Sequence, residues 1–598
     1  MFIKELVKKN KGYDKTFVYH QLVESYRTEK GPRQRRLLDL GKLNIPKSQW
    51  KNLANRIEEI VSGQTSLINQ DPEIEALAQH YASMLIHKRL KEQETATEKQ
   101  ESDYQVVNVN SIKTHRARSI GAEYISFIGL QKLGLPKLLK NLGFKEEEIK
   151  LIELLIIGRM VQPASEYATV RWAKELSAID ELLDISLNTL SHSRLYRLSD
   201  KLLKHKKELE EGLVQRERDL FNLQEKIILY DLTNTYFESS QTSEIKKRGR
   251  SKEKRTDQPL VTLGLVLDED GFPKQSHLFP GNISEPGTLE KILDEIGSEQ
   301  RKLIILDAGV ATAQNILLIK ERGHDYLVVS RSHPDFEIKE EDFVKLRHNQ
   351  QHLVEAMMHQ DGDELYLYCR SKLKKKKEQS IFEFHRMRFE AELKNASESL
   401  HKKRGTKSYP KVLERIGRIK ERHAKVAYFY DIEVKEEKGK VTEINWKLKD
   451  QQKLDERFSG SYYLRTNRLD LSDSEIFNLY ISLTDVEDSF RSMKSELGLR
   501  PNFHQKDDRI EGHIFITVLA YHVLITLQKY LHREDVYMRW STIRQLLQVQ
   551  QRVTTELHTK DGKAIYIRQT TEPESFHYIV AKALGVKAKP LGIKKQIF

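Results

Sequence analysis

The stretch Ile227-Ile228-Leu229-Tyr230-Asp231-Leu232-Thr233-Asn234-Thr235 breaks a helical periodicity that runs from Ser119 to Leu223, and its reading decides the fold. Four consecutive apolar residues without a helical repeat predict a buried strand, with Asp231 where that strand emerges. The pattern returns in Leu303-Ile304-Ile305-Leu306-Asp307-Ala308-Gly309. Between the two runs, Leu260–Leu267, the Asp270-Gly271 turn and a returning segment near Gln275–Phe279 read as a β-hairpin, followed by a helix over about Glu285–Ile296. Ala311–Arg322 reads as helix and Tyr326–Ser330 as a further strand. Strand, hairpin, helix, strand, helix, strand predicts an α/β unit, a mixed sheet with helices on it.

Working outward, residues 1–45 alternate apolar and polar positions around turn signals at Lys11-Gly12 and Gly31-Pro32, predicting a small antiparallel sheet. Residues 46–117 hold two helices, Ser48–Ser62 and roughly Pro72–Gln93, then a charged linker over Glu94–Ala117. Residues 118–223 predict a helical bundle and 224–330 the first part of the core. An insertion over 331–462 combines strand-like pieces (Glu364–Cys369, Lys425–Val434, Glu443–Leu448) with a basic helical segment. The core resumes over 463–535 with one long helix from about Asp473 to Leu497, opened by a Ser472/Glu475 capping box and stopped by Gly498 and Pro501. Residues 536–598 form an accessory region assigned to dimerisation.

Composition narrows the function class. A chain of 598 residues with one cysteine, Cys369, excludes an intramolecular disulfide framework and a Cys-rich zinc site, and it fits a reducing, cytoplasmic setting. No run approaches the roughly 18 apolar residues of a membrane span, so no membrane is expected. No Walker-type glycine-rich loop is present, so no nucleotide cofactor is expected. The net charge is +13, and Ser371–Tyr430 alone carries 18 Lys+Arg against 7 Asp+Glu. Such a balance fits either a polyanionic partner or a solvated face. His504, His513 and His522 recur every nine residues, half a turn out of phase on a helix, so a shared zinc site is not expected.

Metal-assisted phosphoryl transfer needs carboxylates converging from separate elements on cations roughly 3.5–4 Å apart. Asp231 and Asp307 share one context, each directly after four apolar residues. On the long helix, Ile476, Leu479, Leu483, Val486, Phe490, Met493 and Leu497 form a 3-4 apolar stripe, and Glu487 borders it. Tyr480 and Lys494 lie seven residues before and after Glu487 on its meridian, with Arg491 one turn on, whereas Asp485 and Asp488 point to solvent. Each acid alone reads equally as a turn, cap or salt-bridged residue.

Together these residues resemble the DDE transposases of bacterial insertion sequences, in the branch whose RNase H-like catalytic domain carries an insertion before the helix of the final Glu. The signature of that helix is Tyr-x2-Arg-x3-Glu-x6-Lys, matched here by Tyr480, Glu487 and Lys494, while the Arg position holds Leu483. Tyr230-Asp231-Leu232-Thr233, Leu306-Asp307-Ala308-Gly309, Gly281-Asn282 and Phe490–Ser495 with Arg500-Pro501 extend the likeness. The resemblance implies Asp231, Asp307 and Glu487 as catalytic metal ligands for two Mg²⁺ ions, with Mn²⁺ able to substitute. It further implies double-stranded DNA partners, both terminal inverted repeats and target, a homodimer in the synaptic complex, and a bacterial, nucleoid-associated location. Tyr480, Arg491, Lys494, Lys252, Arg255, Lys374, Lys375, Lys376, Arg500, Arg509 and His513 are the expected DNA contacts. Trp446 resembles aromatics that in this branch pack against a flipped base. The rival readings are an inactive DNA-binding relic and a non-transposing nuclease of the same fold. Leu483, part of the apolar stripe, is expected to be buried.

Overall fold

The computed structural model describes residues 1–598 apart from 10–15, 29–30, 63–70, 93–103, 224–225, 239, 251–256, 297–299, 331, 333–334, 348–352, 403–404 and 450–457. At the N-terminus β1 (Phe2–Lys9), β2 (Thr16–Thr28) and β3 (Gly31–Gly41) form an antiparallel sheet. Helices α1 (Trp50–Val61) and α2 (Pro72–Glu92) cover it through Leu22, Leu38, Leu53, Ile57 and Ala78. The stretch read as a linker is not one throughout: β4 (Val107–Ser119) lies in it. Most of its residues are polar or charged and its apolar positions are largely exposed, so no alternation announced it.

Helices α3 (Gly121–Leu133), α4 (Leu135–Asn141), α5 (Glu146–Val161), α6 (Glu166–Glu175), α7 (Ile179–Leu182), α8 (His192–Lys204) and α9 (Lys206–Phe221) form the bundle. Next come β5 (Ile227–Tyr236), β6 (Leu260–Leu267), β7 (Pro273–Pro280), α10 (Leu289–Ile296), β8 (Leu303–Leu306), α11 (Ala313–Glu321) and β9 (Asp325–Ser330). Strand β5 pairs antiparallel with β6, and β6 with β7. It pairs parallel with β8, and β8 with β9. Alternate residues take opposite faces. Ile228, Tyr230, Leu232, Ile304 and Leu306 pack under α10 and α11, whereas Leu229, Ile305 and Leu327 join the main core on the other side.

Part of the stretch read as an insertion continues the main sheet. β10 (Val344–Arg347), β11 (Leu353–Asp361) and β12 (Glu364–Arg370) extend the main sheet, and β12 pairs with β15 (Ser461–Thr466), which pairs with β9. The full order is β10-β11-β12-β15-β9-β8-β5-β6-β7. Only α12 (Lys372–Leu400), α13 (Tyr409–Arg422), α14 (Ala424–Ala427) and the hairpin β13 (Tyr430–Glu437)–β14 (Lys440–Leu448) build a core of their own, around Phe389, Leu393 and Ile416.

The long helix read over 473–497 is two helices, α15 (Asp473–Ile481) and α16 (Leu483–Ser495). The interruption is Ser482 alone, which keeps right-handed helical dihedrals and whose hydroxyl donates to the Leu479 carbonyl at 2.6 Å. Helix α17 (Asp507–His532) also departs from expectation, because its most apolar 18 residues average a hydropathy of 1.6. By length and composition it could cross a membrane, yet 89% of that window is buried inside the protein, against α3, α5, α8 and α16.

The chain ends with α18 (Trp540–Leu547), β16 (Gln551–Thr559), β17 (Ala564–Thr570), α19 (Ser575–Leu584) and β18 (Lys594–Ile597). Strand β16 pairs with β4, giving the sheet β18-β17-β16-β4. This sheet is tied to the bundle by buried charge: Arg552 Nε donates to Glu181 Oε2 at 3.0 Å, and Arg568 Nη2 to Glu181 Oε1 at 2.8 Å. Removing one member of a buried ion group strands the others. Glu181→Ala is therefore expected to cost about 3–5 kcal/mol, read as a lowered urea midpoint by circular dichroism. An unchanged midpoint would show that the two guanidinium groups find other acceptors.

Candidate active site

The parallel register ends at Tyr230 opposite Leu306, so Asp231 and Asp307 occupy the next positions of neighbouring strands. Strand β8 stops there, and Asp307 Oδ1 accepts from the Ala308 N–H at 2.7 Å. Asp231 is not at a strand end, as the sequence suggested. Its strand continues to Tyr236 because β6 pairs with it along that length. Asp231 is half-buried and Asp307 exposed.

The third acid comes from α16, which packs on β5. Val486 and Phe490 enter the core, and Glu487 between them is exposed. Tyr480 on α15 links the acids: burial, then the charges of Asp307, Cys369 and Glu487, push its hydroxyl up to about 12. Tyr480 thus lies within electrostatic reach of Asp307 and Glu487. Its ring stands 5.5 Å from that of Tyr462 on β15.

Around this centre the expected DNA contacts divide. Lys494 is half-buried on α16, and Arg491 is exposed, bound to Asp488 at 2.7 Å. Lys375 and Lys376 are exposed on the first turns of α12, but Lys374 is anchored, with its Nζ donating to the Ser461 carbonyl at 3.2 Å and lying 4.5 Å over the Tyr462 ring. Arg500 is half-buried, and Arg509 pairs with Asp200 at 3.1 Å beneath the Tyr196 ring. Trp446, opposite Ile432 in the β13–β14 hairpin, packs against the insertion's own core. Lys252 and Arg255 lie outside the described residues. Leu483 is half-buried against the main core, less enclosed than its place in the stripe implied.

His513 is a correction, because it is buried and faces no surface that DNA could reach. The nine-residue phasing also fails, since His504 precedes α17 and is free of its geometry. His504 Nε2 lies 2.9 Å from Glu166 Oε2, and His513 Nδ1 lies 3.1 Å from Glu166 Oε1 and 3.2 Å from His504 Nε2. These atoms could form a ligand set, but Arg159 Nη2 sits 2.9 Å from the same His513 nitrogen, placing a cation where a metal would be. His522 pairs separately with Glu217 at 2.6 Å.

Asp231, Asp307 and Glu487 offer hard oxygen donors, the set that suits Mg²⁺ or Mn²⁺ rather than a thiophilic ion. Two neighbours carry no mark in the sequence pattern, Tyr462 and Glu285. The second comes close through the space left at Gly309, where a methyl group would lie 2.5 Å from Glu285 Oε2.

A family model described as the transposase DDE domain matches residues 222–523, just over half of the chain. A second, described as the IS1634 family transposase, N-terminal domain, matches residues 6–71. No curated protein matches. Among solved structures, the chain is similar to a piggyBac transposase in a synaptic complex with hairpin DNA, at 10% identity and a TM-score of 0.32 over 74% of this chain and 82% of that one.

The Glu166 cluster makes a prediction about acid. Burial, then Arg159, lowers His513 to about 4, so between an ordinary value near 6.5 and about 4 the unfolded chain takes up a proton that the folded one refuses. Burial opposes the charge of Glu166, but His513 and His504 outweigh it and hold its carboxyl below the ordinary range, which again favours proton uptake by the unfolded chain. Stability is expected in full above about pH 6.5 and to fall below it. Urea midpoints across that window check this, and His513→Leu should flatten the upper part of the profile.

Proposed function

We propose a reaction course for a chain that belongs to the DDE transposases of insertion sequences: it binds the terminal inverted repeats of its element, hydrolyses DNA at the ends, and joins the freed 3′-hydroxyls to target DNA. The observation that carries this reading is the register that sets Asp231 beside Asp307, with Glu487 brought to the same region by α16. The order β7-β6-β5-β8-β9, with β5, β8 and β9 parallel, supports an RNase H-like core. The separate core of α12–α14 and β13–β14 supports an insertion in it.

Members of the family depend on divalent metal, and here Asp231, Asp307 and Glu487 would hold it, as two Mg²⁺ ions. Bound there, the cations would neutralise charge at the scissile phosphate and lower the pKa of the attacking oxygen. The remaining work falls to the chain's own groups. Tyr480, pushed up to about 12 chiefly by burial, stays protonated at neutral pH within electrostatic reach of Asp307 and Glu487. Lys494, two turns along from Glu487, would hold a phosphate near the cut. The exposed lysines Lys375, Lys376 and Lys377 begin a helix whose first turn rests on Tyr462, next to Tyr480, so they would track the backbone that leads to the site. The N-terminal sheet and bundle would read the ends, two chains would pair to handle two ends, and the setting is the bacterial nucleoid.

Asp231→Ala, Asp307→Ala and Glu487→Ala should each abolish cleavage of end DNA while binding stays within a few-fold, because affinity rests on phosphate contacts elsewhere. Asp488→Ala, which removes an exposed partner of Arg491, is the control, and its inactivity would place the chemistry on another face of α16. A wild-type chain that binds but never cuts would be the relic, and one that cuts without joining would be the nuclease. Exchanging Lys375, Lys376 and Lys377 for Gln should flatten the plot of log K against log salt, and an unchanged slope would return that face to solvent.

A further inference from the structure

A half-buried carboxylate stands beside the site described above without a place in its signature. Glu285 opens the turn between β7 and α10. A methyl group on Gly309 would lie 2.5 Å from Glu285 Oε2 and 3.9 Å from Asp307 Oδ2, so the two oxygens can be no farther apart than those two distances together. Gly309 does not have a positive φ, so its backbone conformation does not demand glycine. What demands it is space, and the space is filled by the Glu285 carboxylate.

The approach is built rather than accidental. Asn315, buried on α11, donates through one Nδ2 to the Pro286 carbonyl at 2.9 Å and to the Val310 carbonyl at 2.8 Å. That single side chain clamps the turn after Glu285 to the loop after Asp307. A second tie comes from β5, whose Tyr230 hydroxyl donates to Thr288 Oγ1 at 2.8 Å, while Thr288 Oγ1 donates to the Glu285 carbonyl at 2.7 Å.

We propose that Glu285 is a fourth carboxylate of the metal site, held beside Asp307 by the Asn315 clamp and given room by Gly309. This rests on the reading that Asp231, Asp307 and Glu487 hold the cations. Electrostatics favour it, since two divalent ions outweigh the charge of three carboxylates and a fourth restores balance. Neighbouring acids that support a metal site typically change affinity by about 10–100-fold when removed.

The test is Mn²⁺ binding to the full-length protein without DNA, with free ion counted by electron paramagnetic resonance, beside melting curves in the absence of metal. Glu285→Gln should raise the Kd for Mn²⁺ about tenfold or more with the metal-free melting temperature unchanged. Gly309→Ala should weaken binding in the same direction, because its methyl displaces the Glu285 carboxylate. Asp307→Asn is the reference. If Asp307→Asn binds as tightly as the parent, the site reading itself falls and Glu285 falls with it. If Asp307→Asn loses Mn²⁺ and Glu285→Gln matches the parent, the fourth carboxylate alone is overturned. Should Glu285→Gln melt well below the parent, Gly309→Ala decides, with weakened binding supporting the assignment and parental binding overturning it.

Discussion

Burying α17 is the constraint on which the rest of the architecture depends. A helix this apolar has to be enclosed, and the bundle, α16 and the C-terminal α19 all pack on it. Its few polar side chains then have to be satisfied away from water. His513 meets Glu166 and Arg159, His522 meets Glu217, Thr517 donates to the His513 carbonyl, and the Tyr521 hydroxyl donates to Ser489 on α16. Except for the Thr517 back-bond within α17, these pairings reach different elements, α5 and α6, α9 and α16, so the polar groups act as orientation marks on an otherwise apolar rod. The contact with Ser489 matters most for chemistry, because Ser489 lies two residues from Glu487.

The candidate site draws its acids from two kinds of support. Asp231 and Asp307 are fixed by a parallel pairing deep in a nine-stranded sheet, whose strand spacing leaves their backbones little freedom. Glu487 depends instead on how α16 is seated, and the seat is set by Val486 and Phe490 in the core and by Ser489 against α17. Distant changes in the bundle that shift α17 are thereby transmitted to one acid and not to the other two. The buried Glu181 group does comparable work farther out, holding the terminal sheet, and with it β4, against the bundle.

How much of this was legible in the sequence follows from where the signal came from. The runs ending at Asp231 and Asp307 stood out because strands buried on both faces must be continuously apolar, which no surface helix imitates. The strands β10 and β11 carry no such run, β10 being a four-residue edge strand and β11 beside it partly exposed, so neither announces itself as part of the main sheet. The break at Ser482 was hidden because the 3-4 stripe continues across it. The phase of apolar residues reports which side is buried, not where a helix is interrupted. The histidine cluster was missed because a helix-phase argument was applied to His504, which stands before the helix begins. Glu285 and Asn315 carry no signal of their own, because the approach of Glu285 to Asp307 and the clamp that Asn315 makes span elements whose adjacency only the fold creates.

The place of Leu483 bears on the departure from the signature. At helical spacing, residues 480, 483 and 487 share a face, and a cation at 483 would stand between Tyr480 and Glu487. Leu483, the first residue of α16, turns partly into the main core, where an arginine would have to give up part of its solvation. A cation reaches the neighbourhood by another route: Lys374, from the first turn of α12, lies over Tyr462, whose ring meets that of Tyr480. The first turn of α12 is thus coupled to α15 through two tyrosines, Tyr462 and Tyr480, so a lysine of α12, not residue 483, brings the charge nearest to that pair.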